Sequence, residues 1–131
     1  MIAVTNTTRT DAKNNGAAYG LTTIDLGAPG TSILSTYPTS NYSTLTGTSM
    51  ATPMVTGAIA MMYSAADISR LLYYKSNIPE ATLMFRDVLF NSVDSILALQ
   101  GITVTGGRLN VFNAVVEISS PIILLTVASA S

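Results

Sequence analysis

The sequence predicts an α/β fold in which short parallel strands pack against a buried central helix. Three observations carry that reading: brief apolar runs separated by turn residues in the first third, one long segment with apolar residues around its helical wheel, and amphipathic stripes in the second half. The 131 residues suffice for one domain or part of a larger one, not for two.

Met1–Val4 is a short apolar run that stops at Asn6 and a polar stretch through Asn15, as expected of a buried strand feeding a surface loop. Ile24–Leu26 is a second strand candidate, closed by the turn-rich Gly27-Ala28-Pro29-Gly30. A third, Ile33–Thr36, ends near Pro38, and Tyr42–Leu45 leads into Gly47-Thr48-Ser49. From Ser49 to about Tyr63 the wheel is apolar on most sides, which predicts a helix buried on most sides, with Pro53 in or near its first turn. Asn77 followed by Glu80 reads as a capping box opening a helix to about Val93, with Leu83, Met84, Val88 and Leu89 as its apolar stripe. After Gly106-Gly107, Leu109–Ile118 repeats the helical pattern through Val111, Ala114, Val115 and Ile118. The expected division is therefore 1–120 as the folded portion and 121–131 as an apolar tail, either a strand or a disordered end.

Composition narrows the chemistry. Six Lys+Arg against seven Asp+Glu, with no basic run, give no electrostatic footprint for nucleic acid. The absence of cysteine removes disulfides and thiol chemistry, and the absence of histidine removes any imidazole base or ligand from the chain itself. No charge occurs from Leu26 to Ala66, but prolines, glycines and many Ser and Thr interrupt that stretch. A core helix is the better reading than a membrane span. The N-terminus lacks the basic and long apolar regions of a secretory signal.

The informative run is Gly47-Thr48-Ser49-Met50-Ala51-Thr52-Pro53. A serine used as nucleophile must be exposed, held still and set near electropositive groups, and Ser49 falls at the start of the long helix, where free N–H groups and the positive end of the helix dipole collect. Position alone favours a plainer role, in which Thr48 or Ser49 caps the helix.

The run resembles the motif around the nucleophile of the subtilisin-like serine peptidases, the subtilases. Met1–Val4 resembles a strand of that family, Asp25–Gly30 with Ile33–Thr36 its next strand and Ala-Pro-Gly turn, and Gly106–Asn110 with Ala114-Val115 its closing helix. The resemblance covers roughly residues 1–118 and implies part of a doubly wound parallel-sheet domain, namely the C-terminal portion of a subtilase catalytic domain. It implies Ser49 as catalytic nucleophile and oxyanion donor through its own amide, Thr48 and Gly47 as shapers of the turn, and Leu45, Thr46 and Met50 as residues bordering the cleft. Leu45–Gly47 would lie on its leaving-group side.

The departures matter as much. Met54 replaces a histidine usual after the motif's proline, and Gly16–Gly20 matches its counterpart weakly. The family's catalytic aspartate, catalytic histidine and oxyanion asparagine have no counterpart in this chain, so the resemblance implies a nearly inactive fragment unless an upstream segment supplies them. The expected substrate is a peptide or protein, and the expected location extracellular. No cofactor or metal is assigned; calcium in a longer parent is compatible with the family, and Asp25, near a weak cation site in some relatives, reads better as a loop hydrogen-bonding residue. The rival function is a non-catalytic remnant acting as a binding or scaffold module.

Overall fold

The computed structural model describes residues 1–122; most of the apolar tail therefore lies outside the described residues. Strands β1 (Val4–Thr7), β2 (Leu26–Pro29), β5 (Asp94–Ser95) and β6 (Gly107–Arg108) form one sheet in the order β1-β2-β6-β5. β1, β2 and β6 are parallel, and β5 runs antiparallel to β6. Strands β3 (Ile33–Tyr37) and β4 (Asn41–Leu45) make a separate antiparallel hairpin. The helices are α1 (Thr48–Ala65), α2 (Ile68–Ser76), α3 (Ile78–Asn91) and α4 (Val111–Ile118). This is the expected α/β architecture with a parallel sheet.

The first two strands lie further along the chain than the apolar runs predict. β1 occupies the polar Val4-Thr5-Asn6-Thr7, wholly buried, and β2 occupies the tetrad read as a turn. Buried polar side chains are tolerated when bonded. Thr5 Oγ1 donates to the Ala18 carbonyl at 2.6 Å, and Asn6 Oδ1 accepts from Thr31 Oγ1 at 2.9 Å. Thr7 Oγ1 is buried without a partner among the described residues. Pro29 can end β2 because its missing donor is replaced by the next residue: Gly30 N–H donates to the Thr7 carbonyl at 3.2 Å.

α1 is central to the packing, but its burial is narrower than its wheel predicts. Ala51, Val55, Ala58 and Met62, at three- and four-residue spacing, pack on Val4, Leu26 and Ala28 of the sheet and on Leu89, Ala114 and Ile118 of the later helices. Thr52, Met54, Gly57 and Met61 on the other side are exposed. Among the described residues no helix is long and apolar enough to cross a membrane.

α2 has no counterpart in the sequence reading. Asp67 caps it, accepting from Ser69 N and Oγ, which holds the Asp67 carboxyl below the usual range. Its one buried residue is Arg70, whose guanidinium donates to the Ser120 and Glu117 carbonyls. Asn77 does precede α3, but its side chain makes no capping bond there; it donates back to the Tyr73 carbonyl at the end of α2. The buried stripe of α3 is Ala81, Phe85, Val88 and Leu89, while Leu83 faces outward. Phe85 stacks on Tyr63 at 4.1 Å, with Tyr74 edge-on to both. α4 starts after Leu109, at a cap formed by Asn110 Oδ1 accepting from Asn113 N.

Arg108 ties the far sheet edge to the first long loop, donating to Asp94 at 2.6 Å and Asp11 at 2.5 Å. The hydrogen bond from Asn110 and that from Arg108 lower the Asp94 pKa. Asp25 is engaged in the chain path: its Oδ2 accepts from Ala3 N at 2.7 Å, and its carbonyl accepts from Thr105.

Candidate active site

The geometry around Ser49 is set by contact between the end of β2 and the mouth of α1. Gly30 is the tight point: a Cβ there would lie 2.6 Å from the Gly47 carbonyl oxygen, 2.8 Å from Asn6 Oδ1 and 3.0 Å from Ala51 Cβ. The Gly47 N–H donates to the Gly30 carbonyl at 2.9 Å, and the Gly47 carbonyl accepts from Met50 N and Ala51 N, starting α1. Gly47 itself has extended backbone angles and room for a Cβ, so the turn it was expected to permit does not demand glycine there. Close approach constrains Gly30 instead.

Gly47 occupies the N-cap position, and no side chain caps α1. The plainer role for Thr48 or Ser49 is thus not the one the geometry uses. Ser49, second residue of the helix, is exposed, and among the described residues neither its hydroxyl nor its amide N–H makes a hydrogen bond. An unspent hydroxyl beside an unspent amide, at the positive end of an 18-residue helix, can attack a carbonyl and stabilise negative charge.

Two depressions flank this point. A shallow groove of about 270 Å³ is lined by Ser49, Met50, Pro53 and Met54 of α1 and by Ile33, Leu34 and Ser35 of β3. A more polar cleft of about 390 Å³ is lined by Thr46, Gly47 and Thr48 together with Asn6, Asn14 and residues 16–18. Thr46 Oγ1 accepts from Ser32 N at 2.9 Å, fixing the base of the hairpin. Leu45 pairs with Ile33 at the end of that hairpin, exposed and outside both depressions. Met50 is half-buried beside Ser49. The structure thus gathers Thr46, Gly47, Thr48, Ser49 and Met50 at one helix mouth and leaves Leu45 at its margin.

Neither depression is lined by a charged side chain, and the chain contains no histidine. No proton acceptor of the usual kind faces Ser49 from these residues. Sequence reasoning missed Asn6, Asn14 and Thr31, because the polar run from Asn6 reads as a loop when taken locally. Its usable signal was two asparagines and a threonine near the motif in space but not in sequence.

With a family model, the Subtilase family, matching residues 1–106, the chain belongs to the subtilases. Thermitase of Thermoactinomyces vulgaris is 49% identical over 63 residues, covering 48% of this chain and 22% of thermitase. Subtilisin Savinase of Lederbergia lenta is 49% identical over 55 residues, covering 40% of this chain and 20% of that protein. A structure described as the structural basis of subtilase cytotoxin SubAB assembly superposes with a TM-score of 0.73 at 25% identity, covering 90% of this chain and 36% of the other. The chain therefore spans about a fifth of the length of these two curated relatives and just over a third of the structural one.

Proposed function

We propose that this chain carries the nucleophile of a serine endopeptidase, with Ser49 attacking the peptide carbonyl to form an acyl-enzyme. The single observation that carries the reading is the exposed, unbonded Ser49 hydroxyl at the mouth of α1 within a family motif. Ser49 Oγ bonds to the carbonyl carbon, and its proton passes to a histidine on another polypeptide segment, oriented by an aspartate from that segment. The Ser49 amide and an asparagine from the same segment hold the oxyanion. The protonated histidine gives its proton to the departing amine, and water then releases the acyl group by the reverse sequence. Thr46, Gly47 and Met50 border the reacting centre in this reading, with Leu45 further out on the leaving-group side. The chain without that segment is nearly inactive.

A serine-directed fluorophosphonate tests the reading. The expected result is covalent labelling of Ser49 when the chain is joined to a segment bearing the histidine and aspartate, near-zero labelling of the chain by itself, and none after Ser49→Ala. A folded, joined form that stays unlabelled rejects the peptidase reading in favour of the non-catalytic binding or scaffold module.

A further inference from the structure

The polar cleft beside Gly47 is built on a directional hydrogen-bond relay. Gly16 N–H donates to Asn14 Oδ1 at 3.1 Å, Asn14 Nδ2 donates to Thr31 Oγ1 at 3.3 Å, and Thr31 Oγ1 donates to Asn6 Oδ1 at 2.9 Å. Each link fixes the polarity of the next. The Gly16 bond assigns the oxygen of Asn14, the Asn14 amide takes a lone pair of Thr31, and the single Thr31 proton is then directed at the oxygen of Asn6. The Asn6 NH₂ is left at the end of the relay with no hydrogen bond among the described residues.

Asn6 is only 1% exposed, yet its nitrogen is not one of the sealed, partnerless atoms, of which Thr7 Oγ1 is the one found among the described residues. Asn6 lines the polar cleft together with Gly47 and Thr48. Among the described residues the Thr48 N–H is likewise without a hydrogen bond, at the N-terminus of α1. No acidic residue lines the cleft, and the Lys13 ammonium donates to the carbonyls of two of its lining residues, Asn14 and Ala17, at 2.9 and 3.0 Å. A buried amide donor, a free helix-terminal N–H and a nearby cation suit an anionic acceptor.

We propose that this cleft is a specificity subsite for an acidic side chain of the substrate, with the Asn6 NH₂ as its buried hydrogen-bond donor and Thr48 N–H beside it. The assignment to substrate rests on the peptidase reading of Ser49; the preference for a carboxylate rests on the cleft alone. The test titrates the ¹⁵N-labelled full chain with N-acetyl-glutamate methylamide and, separately, N-acetyl-leucine methylamide. The glutamate probe is expected to shift the Asn6 side-chain and Thr48 backbone signals saturably, at least tenfold more tightly than the leucine probe. Asn6→Asp keeps the acceptor for Thr31 while replacing the donor by a like charge, and is expected to abolish the glutamate response with the rest of the spectrum preserved. Equal responses to the two probes, or an unchanged glutamate response in Asn6→Asp, overturn the proposal. Labelling of Ser49 without any glutamate response rejects the subsite alone. A glutamate response in a joined form whose Ser49 stays unlabelled retains the anion cleft and rejects its role in proteolysis.

Discussion

The first parallel strand and the β3–β4 hairpin invert the usual relation between hydropathy and depth. β1 is Val-Thr-Asn-Thr and entirely buried, whereas the hairpin carries Leu34, Tyr37 and Tyr42 and is largely exposed, with Leu34 and Tyr42 each 67% accessible. The difference lies in what surrounds each strand. β1 has β2 along one edge, α1 on one face and side-chain hydrogen bonds to absorb its polar groups. Among the described residues the hairpin pairs only with itself, and Ile33 and Leu34, with Ser35, serve as one wall of the groove beside Ser49. Strand depth in this molecule follows the partners available to the backbone more than side-chain polarity.

The sharpest way to break that contrast is a matched pair of truncations. Leu26→Ala, at a fully buried position of β2, is expected to cost about 2–5 kcal/mol, and Leu34→Ala on the hairpin no more than about 0.5 kcal/mol. Urea unfolding of both variants reads the difference, and equal losses would refute the contrast. Gly30→Ala comes next: its methyl would press on Gly47 O and Asn6 Oδ1, with an expected cost of about 1–3 kcal/mol. Loss of Ser49 labelling in the joined form beyond the unfolded fraction would locate the strain at the helix mouth. The last comparison separates two threonines in one strand, Thr5 and Thr7. Thr5→Val removes the donor to the Ala18 carbonyl and should cost about 1–3 kcal/mol if that carbonyl is left dry, less if water reaches it; Thr7→Val removes a hydroxyl without a partner and should be neutral or stabilising by up to about 1 kcal/mol. Calorimetric melting of the two variants gives the comparison, and a Thr7→Val loss matching that of Thr5→Val would contradict it.

Local reading carried far in some places and stopped short in others, for physical reasons. The motif at 47–53 placed Ser49 at a helix start because a contiguous run encodes a contiguous turn. The α4 stripe likewise emerged from its spacing, with Ala114 and Ile118 fully buried. β1 and β2 were displaced because their burial depends on Ala18, Thr31 and α1, none of which a window around them contains. α2 escaped notice because its buried residue is an arginine satisfied by carbonyls about fifty positions away. The exposed side of α1 shows the opposite failure: an all-round apolar wheel predicts a helix enclosed on most sides, and the described residues enclose one stripe. In the candidate site, Ser49 and its sequence neighbours were legible, whereas Asn6 and its relay required the fold.

The join between Gly30 and Gly47 has a consequence for how this molecule tolerates change. Main-chain atoms alone make that bond, N–H to carbonyl, and at Gly47 a methyl group would meet Met50 Sδ and Ser49 N only at ordinary van der Waals distance, 3.7 Å. The scaffold that aims the hydroxyl is thus largely insulated from the identities of the residues that furnish the neighbouring walls. A changed side chain in those walls removes neither partner of the join.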